Sequence, residues 1–186
     1  MVLADASGKG IPAALLWANL QASLRGQAGR AASDLPGLLR EVNRLFCGST
    51  APEHFATLFA GVYDDATRRL RYMNCGHNPP LLLRAGGTHE RLEPTAPVIG
   101  LLEDWQGTSS DIVLSPGDTL LLYSDGVTEA RSASGEEFGE NRLVQALRAW
   151  RTLPVADLPR SLAAEVEAFA GAAHADDVTL LAARGR

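Results

Sequence analysis

The stretch Asp5-Ala6-Ser7-Gly8-Lys9-Gly10-Ile11-Pro12-Ala13-Ala14-Leu15-Leu16 decides how this chain is read. The apolar run Val2-Leu3-Ala4 before it reads as the last residues of a strand, so Asp5 stands at that strand's end. Gly8 and Gly10 let the backbone turn sharply. Pro12 suits the first turn of a helix, where its missing N–H has no intrahelical partner to lose. A carboxylate at a strand-to-helix turn is well placed to hold a metal ion, but taken alone it is equally well a turn or cap residue.

Outward from that turn, apolar periodicity predicts a helix from Gly10 to about Arg25 through Leu15, Leu16, Leu20 and Leu24. A second helix is predicted with Asp34 as N-cap and Leu35, Leu38, Leu39, Val42, Leu45 and Phe46 on one face. Both read as amphipathic, and strands must supply the surface they cover. Phe55–Tyr63 and Leu70–Asn74 flank the Asp64–Thr67 turn as a hairpin, and Leu81–Leu83 with the segment near Leu92 flanks Gly86-Gly87 as another. Strands at Asp111–Leu114 and Thr119–Tyr123 follow, separated by Ser115-Pro116-Gly117-Asp118. Helices at Asn141–Trp150 and Leu158–Ala170 and a closing strand at Asp177–Ala183 complete the chain. Helix pairs on either side of a run of antiparallel strands make an α+β pattern.

At 186 residues, 46% hydrophobic and 21% charged, the composition is that of one globular domain with a sizeable core. A net charge of −5 with scattered arginines argues against nucleic-acid binding. The apolar stretch Ile11–Leu20 is too short for a membrane span, and no signal peptide is visible. Cys47 and Cys75 lack metal-site spacing and read as small hydrophobes of a reducing compartment, so the expected location is cytoplasmic.

Three acidic positions share one logic. Asp5 follows an apolar run, Asp125 ends the buried-type strand Leu120-Leu121-Leu122-Tyr123, and Asp176 opens the last strand with Asp177. Gathered at one sheet edge, these carboxylates would repel one another unless a cation sat among them. All-oxygen donors favour Mg²⁺ or Mn²⁺ over zinc. Each acid also has a purely local reading: Asp5 as a helix cap, Asp125 in a turn with Gly126, Asp176 in a loop. Spacing does not choose between these.

The motifs together resemble the SpoIIE-type serine/threonine phosphatases of the PPM (protein phosphatase 2C-like) superfamily. The segments that carry the resemblance are the opening stretch, Phe55-Ala56-Thr57-Leu58-Phe59, Asn74-Cys75-Gly76-His77-Asn78-Pro79-Pro80 and Leu114-Ser115-Pro116-Gly117-Asp118. Tyr123-Ser124-Asp125-Gly126-Val127-Thr128-Glu129-Ala130 and Ala175-Asp176-Asp177-Val178-Thr179 follow, all in the family's order. The resemblance implies two packed antiparallel β-sheets flanked by helices. It implies a two-metal Mn²⁺ or Mg²⁺ site with Asp5 bridging both ions, the Ala6 carbonyl on one, and Asp125 and Asp176 completing the other. No side chain serves as nucleophile in that scheme; metal-activated water attacks phosphorus. The implied substrate is a phosphoserine or phosphothreonine on an anti-sigma-factor antagonist. His77 reads as a hydrogen-bonded loop residue, and Ser7 stands where type 2C phosphatases carry a histidine.

The family's acidic Gly-Gly-Asp-x-x-Asp-like element would lie before Met1, so the expectation is one domain over residues 1–186, N-terminally truncated, with an incomplete metal site and missing strands. Exposed edges invite a second chain, and a homodimer and an absent N-terminal sensor domain both stay open. A catalytically impaired interaction module is the alternative function.

Overall fold

Strand pairing sorts the chain into two four-stranded antiparallel sheets, seen in a computed structural model that describes residues 1–171 and 177–186. The first sheet contains β1 (Val2–Ala6), β2 (Ala56–Asp64), β3 (Arg69–Cys75) and β6 (Ser110–Val113), in the order β1-β2-β3-β6. The second contains β4 (Leu81–Leu83), β5 (His89–Arg91), β7 (Thr119–Tyr123) and β8 (Leu180–Arg184), in the order β5-β4-β7-β8. Each sheet belongs to its own compact unit. Met1–His77 with Glu93–Val113 forms the first unit, and Asn78–Leu92 with Leu114–Arg186 forms the second.

In the first unit, α1 (Gly10–Gln27) and α2 (Leu35–Ser49) cover one face of the sheet. Leu16 and Leu20 of α1 and Leu38, Leu39, Val42 and Phe46 of α2 pack with Ala56, Leu58, Ala60, Met73 and Cys75. Period-2 alternation explains the strand residues chosen, because each lies two positions from the next. Phe59 and Tyr72 point to the other face and stack with ring centroids 5.5 Å apart. The start of α2 is sharply defined: Asp34 Oδ1 accepts the Gly37 N–H at 2.9 Å, and Pro36 occupies the first turn. A Cβ at Gly37 would overlap the Asp34 carboxylate, so a side chain there would push the cap aside.

The expected amphipathicity holds for α2 but not for α1. Leu16 and Leu20 are buried at 8% and 0% exposure, whereas Ile11 and Leu15 on the other side of the helix are 78% and 67% exposed. The leucine spacing in α1 fits two faces at once, and only packing against α2 and β1 chooses between them.

In the second unit, α4 (Gly139–Ala149) and α5 (Leu158–Ala170) cover Leu81, Leu83, Leu121 and Tyr123 through Leu143, Leu147, Leu158, Leu162 and Val166. A one-turn helix, α3 (Asp125–Thr128), follows β7. The closing strand begins at Leu180, three residues later than expected. Residues 177–179 are instead bound by the end of β7 through Ser124. Among the described residues no helix is long and apolar enough to cross a membrane.

Candidate metal centre

Asp5 and Ala6 are placed by the β1–β2 ladder, which sets Asp5 opposite Thr57 and Ala6 opposite Ala56. Ala4 and Ala6 pack toward the α1/α2 core, so alternation sends Asp5 to the opposite face, beside Thr57. The Ser7 N–H donates to the Phe55 carbonyl at 2.9 Å, which makes Ser7–Phe55 a hydrogen-bonded pair. Such pairs alternate along an antiparallel ladder, so the peptide groups of Ala6 and Ala56 face away from each other. Ala56 exchanges both of its backbone bonds with Ile99, at 2.8 and 2.9 Å. Because β1 is an edge strand, the Ala6 carbonyl lies on its unpaired side, available as a ligand.

The chain then leaves the sheet. Ser7 Oγ, rather than its carbonyl, accepts the Phe55 N–H at 3.0 Å, and the backbone turns through Gly8 at φ 96° and Gly10 at φ 74°. The residue preceding α1 is Lys9, with no side-chain cap bond, so Asp5 is not the cap of that helix. It is an exposed acid at a strand end.

Asp125 is also exposed and opens α3, directly after β7. Its Oδ1 accepts the Gly126 N–H at 2.8 Å, so the turn reading holds for one carboxylate oxygen. Asp176 lies outside the described residues. Its neighbour Asp177 is fixed by Ser124, whose Oγ donates to the Asp177 carbonyl at 3.1 Å and accepts the Thr179 N–H at 3.0 Å. The Ser124 N–H donates to the Thr179 carbonyl, also at 3.0 Å. The second unit therefore brings the backbone of 177–179 alongside the residue that precedes Asp125. Asp5 and Ala6 belong to the first unit, and Asp125 belongs to the second. Among the described residues, no three His, Cys, Asp or Glu side chains are gathered as a metal cage requires.

The donor chemistry fits a hard divalent cation. Taken unit by unit, exposed Asp5 and the Ala6 carbonyl that its ladder leaves unused in the first, and exposed Asp125 in the second, offer oxygen donors. By contrast, the motif acid Asp118 is consumed by the fold. It is buried and accepts the Ala85 N–H at 2.9 Å, the Ser115 N–H at 3.0 Å and the Arg84 guanidinium at 2.8 Å. Burial by itself raises this carboxyl, but the Ala85 N–H, Arg84 and the Ser115 N–H together outweigh it and hold it below the usual aspartate range.

Some of the residues that shape the site gave no distinct signal in the sequence. Thr57, opposite Asp5, has its Oγ1 2.9 Å from His77 Nδ1, and the His77 N–H donates to Asn74 Oδ1 at 2.9 Å. His77 is thus the buried, hydrogen-bonded loop histidine that was expected. In the sequence Thr57 stands only within the Phe55–Phe59 segment, with no role of its own. Ser7 and Ser124 are small polar residues at strand ends, and their partners lie 48 and 53 residues away.

The two helix-covered sheets match phosphatase domains of the PP2C type. The SiaA PP2C domain of Pseudomonas aeruginosa superposes with a TM-score of 0.83 at 20% identity, over 100% of this chain and 74% of that one. The fold match extends to a serine/threonine phosphatase catalytic domain solved with two manganese ions, at a TM-score of 0.70. The fold is therefore that of the PPM phosphatases. The chain belongs to the SpoIIE family: the model for Stage II sporulation protein E matches residues 1–186. Protein IcfG of Synechocystis is 31% identical over 98% of the chain and 33% of its own length. Phosphoserine phosphatase RsbP of Bacillus subtilis is 28% identical over 95% of the chain and 43% of its own length. The chain spans less than half the length of these curated relatives.

Proposed function

We propose that residues 1–186 form one metal-dependent phosphatase domain that hydrolyses phosphoserine or phosphothreonine on a partner-switching protein of the anti-sigma-factor antagonist type, in the cytoplasm. The observation that carries this reading is the pairing, at one strand end, of an exposed Asp5 with an Ala6 carbonyl that the ladder leaves unused. Asp125 and Asp176 are the proposed remaining ligands. Bound there, Mn²⁺ or Mg²⁺ would supply an activated water and offset the charge of the phosphoryl oxygens. The chain's own part is to hold oxygen donors rigidly. Ser7 pins the end of β1 to β2, and Ser124 pins the segment after Asp176 to the end of β7. Relatives named phosphoserine phosphatase support the substrate class.

The test is hydrolysis of para-nitrophenyl phosphate and of a phosphoserine peptide with and without added Mn²⁺. Turnover is expected only with the metal. Asp125→Asn is expected to lower the rate about a hundredfold or more, the equivalent of several kcal/mol of transition-state stabilisation. The melting temperature should not change, because Asp125 is exposed. Metal-independent turnover would refute the reading. A second reading is an interaction module without turnover. It predicts binding of the phosphoprotein with no hydrolysis at saturating Mn²⁺.

A further inference from the structure

We propose that Asn43 of α2 is a positioning residue for the Ala6 end of the metal centre, acting through the segment 99–102. The proposal rests on the metal-dependent reading above. Asn43 is 1% exposed, in a helix face otherwise built from Leu35, Leu38, Leu39, Val42 and Phe46. A buried amide is unfavourable unless it is hydrogen-bonded, and this one is bonded at both ends. Its Oδ1 accepts the Gly100 N–H at 2.8 Å, and its Nδ2 donates to the Leu102 carbonyl at 2.9 Å. These two bonds leave the helix for a segment 57 and 59 residues further on.

The anchored segment sits close against the elements around it. Gly100 adopts φ 94°, and a Cβ there would lie 2.6 Å from the Phe46 ring and 2.8 Å from the His54 carbonyl. The preceding residue, Ile99, exchanges two backbone bonds with Ala56, and Ala56 stands opposite Ala6 in the ladder. Asn43 is therefore joined to Ala6 by hydrogen bonds and three short covalent steps, Gly100–Ile99, Ala56–Phe55 and Ser7–Ala6, all within the first unit. The Ala56–Ile99 pairing is an isolated bridge, not part of a longer ladder. It has no neighbouring pairs to hold it once the Gly100 anchor is lost. Removing the amide frees the segment, then the Ala56 end of β2, and then the Ala6 carbonyl that must meet the metal. A leucine or alanine would bury more easily at this place in α2. The amide is explained by what it holds.

The test compares Asn43→Ala with Leu39→Ala, a buried substitution one turn earlier on the same helix. Three measurements are made on each: melting temperature, Mn²⁺ affinity by calorimetry with the metal alone, and amide hydrogen exchange at Ala56 and Ile99. Asn43→Ala is expected to weaken Mn²⁺ binding about tenfold, the usual scale for loss of an outer-sphere support. It should also speed exchange at Ala56 and Ile99. Leu39→Ala should lower the melting temperature without either change. If Asn43→Ala does not fold, Asn43→Ser is read in the same way. Equal shifts in affinity for the two variants, or unchanged exchange at Ala56 and Ile99, overturn the proposal. If the wild-type chain binds no Mn²⁺, the metal reading fails and the exchange data alone judge the positioning role: faster exchange upholds it and unchanged exchange rejects it.

Discussion

Replacing Asp118 should destabilise the second unit strongly while leaving metal binding intact, which separates it from the motif acid Asp125 of the same unit. The magnitude follows from its contacts. In Asp118→Ala the N–H groups of the exposed residues Ala85 and Ser115 lose a buried, charged acceptor. Each hydrogen bond to a charged group is worth about 1.5–3 kcal/mol, and water regains part of that at these exposed residues. Arg84 is not stranded, because its Nε donates to Glu90 at 2.7 Å, so no full buried-charge penalty is added. The expected loss is therefore about 2–5 kcal/mol, or about 5–15 °C in melting temperature for a chain of this size. The pH dependence gives a second reading. The folded-state carboxyl is held below its ordinary value, so its contribution is fully present above about pH 4. It is lost as pH falls from there through the depressed folded-state value. The difference between wild type and Asp118→Ala should thus be large at pH 7 and should shrink in acid. Thermal melts followed by circular dichroism at both pH values measure it. A loss under about 1 kcal/mol at pH 7, or a difference that grows on acidification, would refute the assignment of Asp118 as a structural acceptor.

Two further outcomes are expected. Asp34→Ala removes the side-chain acceptor of the Gly37 N–H and should lower stability by about 1 kcal/mol, read from denaturant midpoints; no change would mean that Asp34 does not cap α2 in solution. Burial pushes the Cys75 thiol up to about 12, so iodoacetamide at pH 8 should spare it in the native state and label it once urea exposes the core. Half-buried Cys47 should react first, although burial raises its thiol too, and equal native labelling of the two would contradict the packing of β3.

Local chemistry alone settled much of this chain. Asp34 announced α2, the run Thr119–Tyr123 announced β7 to the residue, and Leu158–Ala170 announced α5. Each of these signals is complete within a few residues of its own position: a cap three residues from its N–H, an unbroken apolar strand, a three-and-four spacing. The opening stretch likewise placed an acid at a strand end before a glycine turn, which the fold reproduces. Tertiary structure decided what pairing over long separations decides. The register with β2 put Asp5 on the face away from the helices and the Ala6 carbonyl on the unpaired edge, through partners some fifty residues away. Packing chose Leu16 and Leu20 over Ile11 and Leu15 as the buried side of α1, although both pairs satisfy the same periodicity. The burial of Asn43 was equally beyond reach, because nothing near it in the chain shows that its amide is bonded to Gly100 and Leu102. A hydrogen bond between distant residues depends on which surfaces meet, and a one-residue change of register would send Asp5 to the other face.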